Sequence, residues 1–175
     1  MKFLRLFVCA VSLFSTLCVT AQAGDNVSIN VTGKVVASPC QINPDDLVKN
    51  IDLGQAIPAQ DTAGAMGEPQ NFTVTLTDCP SGTSGIAVTY TGTPASVNPD
   101  YVYANTATEN AAKNVGVLLQ INDGSTKPLG NGKVWNVVLS HGTDPVLHMT
   151  TKAYSLGDAA PGNISTTIVM SFEYN

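Results

Sequence analysis

After Arg5 the sequence contains no arginine. Of its 8 basic residues, Lys2 and Arg5 fall within the first 23. That leaves six lysines against all 13 acidic residues, a formal charge of −7 (6 − 13) for residues 24–175. An acidic, arginine-free chain does not carry the basic footprint of a nucleic-acid binder or of a protein held to anionic membranes. Helical periodicity is almost absent beyond residue 23. Thr, Val, Asn and Gly dominate instead, and short apolar runs are bounded by Gly, Pro, Asn and Asp, which reads as an all-β chain with sandwich spacing. No internal repeat or linker divides it, and no second apolar run is long enough to cross a bilayer.

The one long apolar run is at the start. Lys2 and Arg5 precede Leu6 to Val19, and Ala21-Gln22-Ala23 is a small-x-small cleavage site. Residues 1–23 therefore read as a secretory signal peptide. The remaining 152 residues (175 less 23) suffice for one domain with one core. Cys9 and Cys18 depart with the leader. Cys40 and Cys79 remain, an even pair in an exported chain, and read as one disulfide formed in an oxidising compartment, the alternative being two buried thiols.

Catalytic patterns are also missing. His141 is flanked by Ser140 and Asp144, but neighbours along a strand and turn point apart, whereas a triad must converge. Asp45, Asp46, Asp123 and Asp144 fall in turns, where Asp satisfies local backbone. None makes a calcium loop, and neither His141 nor His148 lies near the cysteines in sequence. No enzyme, metal or cofactor is expected. The N-x-S/T triplets at Asn26, Asn30, Asn71 and Asn163 read as sheet composition. The single tryptophan, Trp135, reads as a core residue, with sugar stacking the alternative.

What is present is alternation at both ends. Residues 27–36 place Val27, Ile29, Val31, Gly33 and Val35 on one face. From Gly162 onward, Ile164, Thr166, Ile168, Met170, Phe172 and Tyr174 share a face, with Ser165, Thr167, Val169, Ser171 and Glu173 on the other. Period-two patterning of this kind is a strand with one buried side. No residue follows Asn175, so the outer neighbour of this strand is expected from elsewhere in the chain or from another chain. Between the ends, strands are expected at Leu47–Leu53, Phe72–Leu76, Ile86–Tyr90, Tyr101–Tyr103, Val115–Ile121 (central), Val134–Leu139 and Val146–Tyr154. Turns are expected at 122–125, 130–132 and 141–145, and a loop at Gly157–Asn163. By pattern alone, residues 27–36 could equally be the first strand of a closed sandwich.

The leader, the cysteine pair, the opening VSINVTGKVVASPCQI, Asp52-Leu53-Gly54, the LTDCP around Cys79 and the C-terminal strand together resemble the structural subunits of chaperone–usher fimbriae, in particular the type 1 fimbrial family of Gram-negative bacteria. A glycine fourteenth from the end and a penultimate tyrosine belong to that resemblance, here Gly162 and Tyr174. It implies an incomplete immunoglobulin-like sandwich lacking its final strand and completed by donor-strand complementation, a form of β-augmentation. The implied organisation is a signal peptide at 1–23, a donor extension at 24–36 and a pilin domain at 37–175. Val27, Ile29, Val31, Gly33 and Val35 would be donated to a neighbour. Gly162, Ile164, Ile168, Met170, Phe172 and Tyr174 would form the acceptor and chaperone-contact strand. Implied partners are a periplasmic pilus chaperone, an outer-membrane usher and neighbouring pilin subunits, with passage through the periplasm to the cell surface. The opening VSINVTGKVV looks more like a minor adaptor than a major rod subunit. The alternative from another class is a self-contained, lectin-like secreted Ig module.

Overall fold

The computed structural model describes residues 32, 39–54, 62–140 and 143–175. The expected leader (1–23), the donor residues Val27, Ile29, Val31, Gly33 and Val35, and His141 lie outside the described residues.

Among the described residues eight strands form two antiparallel sheets: β1 (Gln41–Ile42), β2 (Gln70–Thr77), β3 (Gly85–Thr91), β4 (Val102–Ala104), β5 (Lys113–Ile121), β6 (Val134–Val138), β7 (Val146–Ala160) and β8 (Val169–Tyr174). One sheet has the order β1-β2-β7-β5-β4 and the other β6-β3-β8. This is an immunoglobulin-like sandwich. Alternating apolar residues turn inward from both sheets, so Val74 and Leu76 of β2, Leu119 and Ile121 of β5, and Leu147 and Met149 of β7 meet Ile86, Val88 and Tyr90 of β3 in one core. Two buried tyrosines find partners there. Tyr103 donates to the Leu129 carbonyl at 2.8 Å and Tyr90 to the Met149 sulfur at 3.5 Å. Burial pushes the Tyr103 phenol up to about 12.

Cys40 and Cys79 form the disulfide, with Cα atoms 4.3 Å apart. They flank the β1–β2 ladder, in which Gln41 faces Thr77. Most expected strands are present within a few residues. Two are corrected. Leu47–Leu53 is not a strand. Asn43 accepts from the Asp45 N–H, Pro44–Asp46 forms a 3₁₀ turn, and Asp46 accepts from the Thr75 N–H at 2.6 Å, so this segment is held by side chains rather than a ladder. Leu47 and Val48 consequently remain 66 % and 74 % exposed. The second correction concerns Gly157–Asn163, expected as a loop. The strand continues to Ala160 through a bulge, where the pairing with β5 slips between Lys113 and Val115. Gly157, Asp158 and Asn114 take positive φ there, and Asn114 donates to the Asp158 carbonyl at 3.2 Å. Glycine next to Asp or Asn signals a turn and a bulge equally well. Within its sheet β7 is the central strand, and β5 lies between it and β4.

Candidate functional site

The site is built on β8. This strand is the edge of its sheet, and among the described residues it pairs only with β3. The register sets Tyr90 opposite Met170, Val88 opposite Phe172 and Ile86 opposite Tyr174. The β3 members are 0 %, 0 % and 1 % exposed. Their β8 partners, on the same inward face one strand over, are only partly buried. Cover from the opposing sheet therefore ends between β3 and β8. That sheet tapers at the two-residue β1, and the turn after it leads away. What remains is an open groove of about 1360 Å³. Phe72, Val74, Val117 and Leu119 lie at its base, β8 and its lead-in form one wall, and Leu47 and Val48 stand on the rim.

The structure brings the sequence-derived acceptor residues together. Ile164, Ile168, Met170 and Phe172 line the groove with Gly162 at one end. Partial burial alternates without a break from Ile164 to Tyr174, as expected for one inward face. Tyr174 follows on the same face beyond the lining residues; its hydroxyl donates to the Cys40 carbonyl at 3.3 Å and burial raises its pKa. The strand expected over 163–174 is not one ladder, however. Only Val169–Tyr174 is paired with β3, and the lead-in is fastened to the β4–β5 connection instead.

Asn105, in the connection between β4 and β5, is the side-chain hub of that fastening. Its side-chain amide donates to the carbonyls of Asn163 (2.8 Å) and Ala112 (2.9 Å), and its oxygen accepts from the N–H groups of Ser165 (2.9 Å) and Ala107 (3.1 Å). Asn is common in loops, so nothing local distinguishes this one. Gly162 makes the approach possible. It adopts φ +155°, and a Cβ there would collide with the Ala112 nitrogen and the Asn110 carbonyl. Gly162→Ala is expected to cost about 1–3 kcal/mol through strain and lost packing of Ile164 against Ala112 and Val115, read as a lower denaturant midpoint. An unchanged midpoint would show that the close approach is dispensable.

Thr166 is the one polar member of the inward stripe. Its hydroxyl is buried without a hydrogen-bond partner. Thr166→Val keeps the shape and removes the unsatisfied group, so stability is expected to rise by about 1 kcal/mol, or about 2–4 °C in a thermal melt. A fall in the melting temperature would mean the hydroxyl is used.

At the rim, Asp46 is paired with Lys49. The Lys49 ammonium bonded to it holds the Asp46 carboxyl below its ordinary value against a smaller opposing desolvation, and the Thr75 N–H adds to the lowering. Among the described residues no convergent catalytic group appears. Asp144 accepts from the Cys79 N–H at 3.2 Å, and His148 stands on the outer face of β7. Among the described residues no group of three His, Cys, Asp or Glu side chains could hold a metal ion. An apolar groove beside an unpaired strand edge can do one thing well, which is to accept another strand.

Comparison with known proteins agrees with this geometry. The family model described as "Fimbrial protein" matches residues 29–175. Protein FimG of Escherichia coli K12 is 31% identical over 160 residues, covering 89% of each chain. The S-fimbrial adhesin protein SfaS of E. coli O6:K15:H31 is 29% identical over 174 residues, covering 98% of each. Among solved structures, a chaperone–usher pilus subunit superposes with a TM-score of 0.64 at 18% identity, covering 87% of this chain and 97% of its own. The chain belongs to the fimbrial protein family.

Proposed function

We propose that this protein is a structural, non-enzymatic subunit of a surface fibre, and that its activity is to be completed by strands from other chains. The groove beside β8 first takes a strand from a periplasmic chaperone. At an outer-membrane usher, the N-terminal extension of the next subunit replaces it. Residues 24–36 of this chain are donated in turn to the neighbouring subunit. Removal of residues 1–23 during export frees that extension.

One observation carries this reading: Met170, Phe172 and Tyr174 are left partly uncovered beside fully buried β3 partners. The alternating Val27, Ile29, Val31 and Val35 are of the chemistry such a groove accepts. At about 1.5–3 kcal/mol for each apolar side chain buried, four would contribute a gross 6–12 kcal/mol, before the cost of ordering the segment. Main-chain hydrogen bonds along β8 would add about 1 kcal/mol each.

The test is to produce residues 24–175 alone and together with a cognate chaperone. A self-associating chain that becomes a one-to-one complex with the chaperone is the expected result. A stable monomer without it would favour a self-contained binding module. For the donor half, a chain lacking residues 24–36 is mixed, as its chaperone complex, with intact subunits. It should still accept a strand but never donate one, and donation by the truncated chain would overturn that half.

A further inference from the structure

The turn from Gly130 to Lys133 takes no part in the groove. It leads into β6, and the sheet order β6-β3-β8 puts β3 between that strand and the assembly edge. The turn holds Asn131-Gly132, the only Asn-Gly pair in the chain. Lys133 donates to the Gly130 carbonyl at 3.0 Å, and Gly132 takes φ +77° while Asn131 keeps a negative φ, the pattern of a type II turn. Both residues are exposed to water. Glycine has no Cβ, so the peptide nitrogen that follows Asn131 is uncrowded. Such a nitrogen can attack the side-chain amide of the residue before it.

Two hydrogen bonds stand in the way of that attack. The Gly132 N–H donates to the Tyr90 carbonyl at 2.7 Å, which holds the nucleophile. The Asn131 side-chain oxygen accepts from the Gly92 N–H at 3.1 Å, which holds the target. The turn is fixed to the end of β3 in other ways too. Tyr90 donates back to the Lys133 carbonyl at 3.0 Å, and a Cβ at Gly130 would collide with the Asp100 carbonyl in the connection after β3. The reaction needs the Gly132 N–H released from Tyr90 and the Asn131 side chain released from Gly92. Local opening of the turn therefore comes before chemistry. Once it is open, hydroxide takes the Gly132 amide proton and the nitrogen attacks Asn131 Cγ. The Cγ–Nδ2 bond breaks, and Nδ2 leaves as ammonia with a proton from water. Water then opens the five-membered imide. Addition at Cγ restores the normal main chain with an aspartate. Addition at the backbone carbonyl carbon leaves isoaspartate, whose main chain is one methylene longer.

We propose that Asn131 is a site of spontaneous deamidation gated by this turn, and that its conversion to isoaspartate irreversibly unfastens the turn from β3. The mature protein, in assembled fibres, is aged in mildly alkaline buffer made with heavy-oxygen water. Residue 131 is followed by peptide mass mapping and by enzymatic methylation of isoaspartate. Hydrogen exchange at the Gly132 amide gives the fraction of time the turn is open. The conversion rate in the fibre should equal the rate of the same chain in denaturant multiplied by that fraction, about tenfold slower or more. Subunits carrying isoaspartate should then lose amide protection at Gly132 and Gly92. Freshly prepared Asn131→Asp keeps an acceptor for Gly92 and a main chain of normal length, so it should retain that protection. Conversion in the fibre as fast as in denaturant, or an unmodified Asn131 at a time when the product of rate and open fraction predicts conversion, overturns the gated site. Unchanged protection in the isoaspartate subunits, or equal loss in Asn131→Asp, overturns the unfastening.

Discussion

Phe172→Ser is expected to release the completing strand from the subunit while leaving the rest of the sandwich folded. Phe172 pairs with Val88 across the β3–β8 ladder and is only partly buried in the lone subunit. A strand laid into the groove would complete its burial, so its packing energy belongs mostly to the assembled state. Truncating a fully buried phenylalanine costs about 3–5 kcal/mol, or roughly a hundredfold to several thousandfold in affinity. The measurement is the dissociation rate of the chaperone-bound or fibre-bound subunit. The same substitution at Val88, which is 0 % exposed, should instead damage the fold with or without a partner. If Phe172→Ser left dissociation unchanged, the groove would not be where the strand binds.

The second large effect concerns the covalent link. The disulfide spans a sequence separation of 39, ties the short β1 to β2, and includes Cys40, whose carbonyl accepts from the Tyr174 hydroxyl. Cys40→Ser with Cys79→Ser removes a loop constraint worth about 4 kcal/mol in the chain-entropy model. Two-residue β1 has little pairing energy of its own, so loss of the link should also free Cys40 and loosen Tyr174. The expected outcome is a denaturant midpoint lowered by several kilocalories' equivalent and a marked fall in yield from an oxidising compartment. Equal stability of the oxidised and doubly substituted proteins would contradict it.

The C-terminal stripe was legible in the sequence because strand periodicity is a property of successive residues. Ile164 to Tyr174 alternate whatever they pack against, and partial burial in the structure follows that alternation residue by residue. The degree of burial was not legible. Whether Phe172 is covered depends on where the opposing sheet ends, and that sheet is built from strands distant in sequence from Phe172. The misread Leu47–Leu53 segment shows the same limit. Its apolar residues suggested a strand, but the turn that leads into it is tied by Asp46 to Thr75, 29 residues away, and residues 47–53 join no ladder. Asn105 is the extreme case. Its four hydrogen bonds include two reaching 58 and 60 residues along the chain, and no local pattern sets it apart from the other asparagines of its loop. Gly162 was singled out by family resemblance alone, and its physical reason, close approach to Asn110 and Ala112, became visible only in three dimensions.

The central claim is that the outer edge of β8 is the assembly surface. It is tested most directly by hydrogen exchange at the backbone amides of Val169–Tyr174 in assembled fibres. A strand paired on one side only protects alternate amides, because every second N–H points away from its neighbour. Completion in trans predicts slow exchange at all of these amides, including those directed away from β3. Slow and fast exchange alternating along β8 in the fibre would mean that the edge stays open and that subunits are joined some other way.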